Sequence, residues 1–505
     1  MPRTLRVDGK SLTIDRVVAV ARKNTPVRLD PAARKDMRRS REWVEQAVRD
    51  HAIVYGVTTG FGAFQNVSVP QDRLRELQRN LILSHCAGVG APFPEEVVRA
   101  MLLLRANALA RGHSGIRIFV VERLLEMLNR GVHPVVPEQG SVGSSGDLAP
   151  LSHAAAVLIG EGEAFFKGRR MSGARAMRLA GLEPVVLEAK EGLALNNGTQ
   201  AMTAVGVLAV HDARRIADLA DIAAAMSLEA VKGKSTPFAE KVLATRPHPG
   251  QARSAQNIRA MIAGSRLVDR VDHDTRHKVQ DSYSIRCAPQ VHGASRDAIE
   301  YVAHVVETEV NATTDNPLIF PDSNEVFSVG NFHGQPVALA MDFLALAVAE
   351  LGNISERRTA KLMDREHNCG LPAFLAVDGG IESGLMIEQY TAAALVSENK
   401  VLIHPASGDS IPTSANQEDH VSMGTIAARQ ARQVLENVER VIAIEFHGAV
   451  EALGYRSERQ GEGTRKAFKM LSEVVHPLRG DRPLSKDIED LVAFLREGTL
   501  CTVLH

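Results

Sequence analysis

The chain has 505 residues, 45% hydrophobic and 24% charged. This is an ordinary globular composition with apolar surface enough for a large core, which excludes a disordered chain. Its 59 Lys and Arg against 60 Asp and Glu leave a formal charge of -1, so no long-range field draws it to nucleic acid or anionic lipid, and the expected partner is a small molecule.

In chain order, the N-terminal stretch MPRTLRVDGKSLTIDRV places charges where a secretory segment is apolar. It reads as a short extended pair turning at Asp8-Gly9, then a helix through Val17 to Arg22. Little else reads as strand. Helical periodicity runs over Val97 to Leu109, Met202 to Val231, Ala338 to Met363 and Thr425 to Leu453, and in the last of these Val434, Leu435, Val438, Val441 and Ile442 share one stripe.

The predicted fold is therefore mainly α, a long-helix bundle over 201–505 interlocked with a smaller N-terminal region, 1–200, that bears active-site loops. Helices such as AMTAVGVLAV and FLALAVAELG are apolar around most of their circumference, which implies burial against further copies of the chain. Cys86, Cys287, Cys369 and Cys501 show neither CxxC spacing nor the density of a disulfide scaffold, so free thiols in a reducing compartment are expected. No apolar run is read as long enough to span a membrane, and the expected location is the cytoplasm.

Between the helices lie stretches dense in Gly, Ser, Asn and Pro, including VTTGFG, PEQGSVGSSGDLAP, LALNNGTQ, QDSYSIRCAPQ and HPASGDSIPTSANQED. Chemistry concentrates on such loops. In Gly143-Ser144-Ser145-Gly146-Asp147 the unhindered nitrogen of Gly146 can press against the carbonyl carbon of Ser144 in a tight bend. Cyclisation with loss of water and dehydration of Ser145 would give a conjugated methylidene imidazolone, an electrophile that no ordinary side chain supplies. Read bare, the same run is also a turn or a phosphate-cradling loop, though it lacks the Lys-Ser/Thr ending of a P-loop.

The wider string GSVGSSGDLAPLSH resembles the signature of the aromatic amino acid lyase family, whose members form 4-methylideneimidazol-5-one (MIO) from an Ala-Ser-Gly triplet. VYGVTTGFG, NLILSHCAGVG, EGLAL-NGTQ, QDSYSIRC-PQ, TDNPL, GNFHG and SANQEDHVSMG follow in the family's order, so the resemblance covers nearly the whole chain. It implies an ammonia-lyase/fumarase-like helical fold and a carbon–nitrogen lyase whose MIO is formed from Ser144, Ser145 and Gly146, with no external cofactor and no metal. It also implies a homotetramer with shared sites. Two positions depart from the pattern. Ser144 stands where the family has Ala, but only its carbonyl enters the ring; Asn196 stands where Ile or Val is usual.

The resemblance also assigns roles. Tyr55 would be the base that removes the β-proton, and a phenol can do so near neutral pH only if donors or positive charge stabilise its phenolate; without the motif it reads equally as a structural phenol. Arg286 would hold the substrate carboxylate through two parallel hydrogen bonds, against the blander reading of a surface ion pair. Asn197 and Gln280 would set amides around the electrophile, Tyr283 a hydroxyl and Phe332 an aromatic wall. Asn197-Gly198 also reads as a plain turn.

Substrate choice would rest on Ser84-His85 and on Gln417-Glu418, both matching the pattern of the family's histidine-specific members, since a carboxylate is a natural partner for an imidazole N–H. Elimination of ammonia from L-histidine to trans-urocanate is the expected reaction; the alternatives are a tyrosine or phenylalanine ammonia-lyase or a 2,3-aminomutase. His273 and His277 have helical metal-ligand spacing, but with no third ligand they read as a solvated charged face.

Overall fold

The structure, a computed structural model, describes residues 4–270 and 278–504. His273 and His277 lie outside the described residues. The chain is mainly helical and divides into two compact units, one of residues 1–211, 302–342 and 405–429, the other of residues 212–301, 343–404 and 430–505.

The expected helices form with ends within three residues of the expected limits, as Glu95–Ala110, Gln200–Ala230, Gln335–Met363 and Gly424–Gly454. The N-terminal helix spans Ile14–Lys23, with Thr13 Oγ1 capping Arg16 N and Asn24 in the left-handed region closing it. The expected hairpin does not form. Leu5–Val7 pairs with Val27–Leu29 in parallel, with that helix as crossover. Asp8 is drawn into a local turn instead, its Oδ1 accepting from the backbone of Lys10 and Ser11, while Gly9 N donates to Asn107 Oδ1.

Strand is also more widespread than the periodicity shows. Short ladders join Val89–Pro92 to Pro137–Gln139, Val132–Pro134 to Glu163–Phe166 and on to Arg169–Ser172, and Leu318–Phe320 to Glu325–Phe327. At three or four residues each, they are too short to register as an alternating pattern.

In the first unit, Glu95–Ala110 is buried on nearly every face, charged residues included. Arg105 is the anchor for the site. Its guanidinium donates to Ala194 O (2.8 Å), Gln200 Oε1 (2.9 Å) and Thr314 O (2.8 Å), pinning both sides of the Asn197-Gly198 turn. Burial lowers its pKa to about 10, well above neutrality, so it remains a cation that needs these acceptors.

In the second unit, Val434, Leu435, Val438, Val441 and Ile442 are all buried as the stripe predicts. The same core holds charges. Glu445 accepts from Arg358, Ser227 and Ser355, and Asp221 accepts from His292 and Arg296. Burial pushes the Asp221 carboxyl up, but Arg296 and His292 outweigh it and hold it down at about 2. Gln335–Met363 has the length and apolar composition of a membrane span, contrary to the reading that no run reaches that length. However, 67% of its apolar window is buried inside the protein, as in a core helix.

Candidate active site

The Ser144-Ser145-Gly146 loop is fixed by its neighbours before any chemistry occurs. Asp147, fully buried, begins the helix Leu148–Leu158 and accepts from Ser141 Oγ (2.8 Å), Met202 N (2.9 Å) and Thr425 Oγ1. Burial pushes its carboxyl above the usual range, and these donors offset part of that rise. Its own amide donates to Gly198 O at 2.7 Å. Gly146 has φ +70°, and a Cβ there would stand 2.1 Å from Gly198 O, so only glycine fits. From the other side, Met423 N donates to Val142 O and Ser422 Oγ to Gly143 O.

The loop opens on a cavity of about 820 Å³ lined by Tyr55, His85, Ser145, Asn197 and Glu418 together with Phe61, Phe64, Leu81 and Leu193. Glu418 sits at the end of a short turn, its backbone paired with Thr413 across Ser414, Ala415 and Asn416, which all have positive φ (51°, 54° and 68°). Its carboxylate accepts from Ser145 Oγ on Oε1 (2.9 Å), and from Ser144 Oγ (2.8 Å) and Thr413 Oγ1 (2.9 Å) on Oε2. Asn197 Nδ2 donates to Ser145 O at 3.2 Å, while its Oδ1 is buried without a partner among the described residues. Asn196, the unusual neighbour, donates instead to Ser152 Oγ at 3.1 Å and does not line the cavity.

His85 ends the helix Leu74–His85, with Nδ1 3.1 Å from Ser84 Oγ. Burial pulls its pKa below the ordinary value, against opposing effects of Leu81 and Glu418, so at neutral pH the ring is uncharged. Tyr55 has the reverse problem. Burial, with the charges of Glu418 and Asp315, pushes its phenol above the ordinary value, and only the Gly62 amide, donating to its oxygen at 3.3 Å, acts the other way. The surroundings within this unit alone therefore make Tyr55 harder to ionise than free tyrosine.

The remaining candidates stand apart from this cavity lining. Phe332 is half-buried, and exposed Gln417 accepts from Gln65 Nε2 at 3.1 Å. Gln280, Tyr283 and Arg286 belong to the second unit. There Tyr283 is exposed, the Arg286 guanidinium stacks over its ring at 4.6 Å, and Arg286 Nε is buried with no partner among the described residues. Sequence reasoning missed Thr413, Gly62 and the walls Phe61 and Phe64. The phenylalanines lie in or beside the VTTGFG stretch, but nothing in the spacing of Thr413 announces its bond to Glu418.

Ser144-Ser145-Gly146 fits the MIO of aromatic amino acid lyases. The glycine is obligatory, Ser145 faces the cavity, and Asn197 holds its carbonyl. Fold and loop together define a helical carbon–nitrogen lyase. The model of the aromatic amino acid lyase family matches residues 12–473, and the chain belongs to that family.

It is 57% identical over 498 residues to a histidine ammonia-lyase of Symbiobacterium thermophilum, covering 98% of this chain and 97% of the relative. With the histidine ammonia-lyase of Caldanaerobacter subterraneus it shares 54% over 499 residues, 99% and 97% of the two chains. Among solved structures, the histidine ammonia-lyase from Trypanosoma cruzi superposes with a TM-score of 0.92 at 45% identity, covering 99% of this chain and 95% of that one. A tyrosine aminomutase from Streptomyces globisporus gives 0.94 at 39% identity, with 100% and 98% covered. The backbone alone therefore does not separate lyase from aminomutase.

Proposed function

We propose that this enzyme eliminates ammonia from L-histidine to give trans-urocanate. The observation that carries the reading is Glu418, a carboxylate in the wall of the cavity that also holds Ser145, Tyr55 and His85. A carboxylate accepts an imidazole N–H; a phenyl ring offers it nothing and leaves it desolvated. The relatives of highest identity quoted above, both histidine ammonia-lyases, support the same reading.

Ser144, Ser145 and Gly146 would form the MIO, which would supply the electrophile needed to turn the substrate amine into a leaving group. Asn197 Nδ2 fixes the carbonyl of Ser145, and its unpartnered Oδ1 is an acceptor for a substrate N–H. Neutral His85 and Glu418 orient the imidazole. Tyr55 takes the β-proton, and because burial and carboxylates weaken its acidity, a cation from outside this cavity is required; Arg286 fills that need while holding the substrate carboxylate. Gln280, Tyr283 and Phe332 complete the site in a cytoplasmic homotetramer whose subunits share active sites.

The test compares kcat/KM for histidine, tyrosine and phenylalanine by the absorbance of urocanate, coumarate and cinnamate. Histidine is expected to lead by a wide margin. A larger value for either competitor, or a β-amino acid as main product, overturns the assignment. Intact-protein mass is expected to fall short of the encoded mass by two waters, and Ser145→Ala is expected to remove both the exocyclic double bond and turnover.

A further inference from the structure

Glu418 holds more donors than a substrate contact requires. Ser144 Oγ and Thr413 Oγ1 both bind Oε2, at 2.8 and 2.9 Å, and Ser145 Oγ binds Oε1 at 2.9 Å. Ser145 and Glu418 line the cavity; Ser144, only 5% exposed, does not, so it reaches the carboxylate from the protein side.

We propose that Ser144 is a positioning residue: together with Thr413 it fixes Glu418 Oε2, so that maturation of the triplet leaves Oε1 as the free oxygen facing the substrate's imidazole. The inference rests on the reading that Glu418 meets a histidine side chain. Closure joins Gly146 N to the Ser144 carbonyl carbon, and the carbonyl oxygen leaves as water with the amide protons of Ser145 and Gly146. Dehydration of Ser145 then breaks Cβ–Oγ, removes the Cα proton, leaves Cα=Cβ and releases a second water. The donor on Oε1 is lost in that second step. Neither step touches the side chain of Ser144, so its hydroxyl survives on Oε2.

A carboxylate turns freely about its terminal bond unless something holds it, because that torsion has broad minima. Two hydroxyls on one oxygen, one from the triplet loop and one from the Thr413 turn, stop the rotation and leave the other oxygen for the cavity. An alanine at 144 closes the same ring but supplies no donor.

The experiment uses the full-length enzyme and Ser144→Ala, Ser144→Thr, Thr413→Val and Glu418→Ala, each checked by intact mass for loss of two waters. Binding of imidazolepropionate, which keeps the ring and carboxylate but has no amine, is measured by calorimetry beside kcat and KM for histidine. Hydrogen bonds to charged groups are strong enough that Ser144→Ala is expected to weaken imidazolepropionate and lower histidine kcat/KM by about tenfold each. Ser144→Thr is expected to restore both, and Ser144→Ala to cost nothing further in a Glu418→Ala background.

A matured Ser144→Ala enzyme with wild-type affinity and rate, or losses that add to those of Glu418→Ala, overturns the inference. If Ser144→Ala does not mature, Thr413→Val carries the test, since Thr413 lies outside the triplet, and wild-type affinity in that variant overturns the clamp. A wild-type enzyme that ignores histidine overturns the substrate reading and this inference with it; one that converts histidine while the variants are unaffected overturns this inference alone.

Discussion

Glu418 shows how one side chain couples substrate choice to local geometry. Its carboxylate lies in the cavity wall with His85, a ring that burial keeps neutral. Replacing Glu418 by Ala removes a charge-assisted acceptor, and histidine kcat/KM is expected to fall at least about tenfold. Any residual turnover of phenylalanine should fall less, or rise, because a phenyl ring gains nothing from the carboxylate. Parallel kinetics on both amino acids check this. Tyr55 and Glu418 are legible as candidates because each sits in a distinctive motif; the hydroxyls on Glu418 are not, because Ser144 stands 274 residues away and the positive-φ turn that folds Thr413 back onto Glu418 is built on Ser414, Ala415 and Asn416 with no glycine to announce it.

At the scale of elements, the site depends on turns that tolerate few residues. Gly146→Ala would force a left-handed alanine, costing about 1–2 kcal/mol, and would drive its Cβ to 2.1 Å from Gly198 O. The expected result is a lower Tm and an intact mass that retains both waters, read by calorimetry and mass spectrometry. The Thr413–Glu418 turn predicts the opposite sign. Ala415 holds φ 54°, ψ 42° at an exposed position, and Ala415→Gly relieves that strain. After glycine's greater unfolded-state entropy is set against it, the gain is expected to be up to about 1 kcal/mol, seen as a raised urea midpoint.

The long helices were read from their period with ends within a few residues of those observed. The N-terminal hairpin was misread because Asp8-Gly9 has the chemistry of a tight turn. The chain uses it to start a crossover, with Asp8 capping its own loop and Gly9 held by Asn107, 98 residues away.

Across the whole molecule, several buried and half-buried histidines respond to acid. His153 Nε2 accepts the Gly88 N–H at 3.1 Å, a bond that requires an unprotonated nitrogen, and burial holds its pKa below the ordinary 6.5. Burial also lowers His133 and His292, against the opposing effects of Glu95 and Asp221 respectively. For these three the unfolded chain takes up protons first, so their stability is present above pH about 6.5 and is lost as pH falls below it. His447 works in the opposite sense. Burial lowers it, but Glu388 more than compensates and raises it, so its contribution is complete at low pH and is lost as pH rises through its folded value. With His85 lowered in the same sense, four histidines stand against one, and His153→Gln is expected to lose less Tm than the wild type between pH about 7.5 and about 5.5.

The proposed sharing of sites has its own test. Tyr55→Phe and Arg286→Ala should each be inactive alone, and refolding the two together should recover activity in the hybrids. Light scattering that shows an active monomer would contradict the shared site.

What the sequence determined by itself is what lies within one stretch of chain: helical period, the glycine-flanked serines able to cyclise, and the ordered motifs that mark the family. These are local because a helix repeats every few residues and a ring closes between near neighbours. Tertiary structure alone decided the parallel pairing of the first strands, the burial that keeps His85 neutral and weakens Tyr55 as an acid, and the convergence of Ser144 and Thr413 on one oxygen of Glu418. Desolvation and hydrogen bonding depend on which distant segments pack together, and no spacing along a single chain records that.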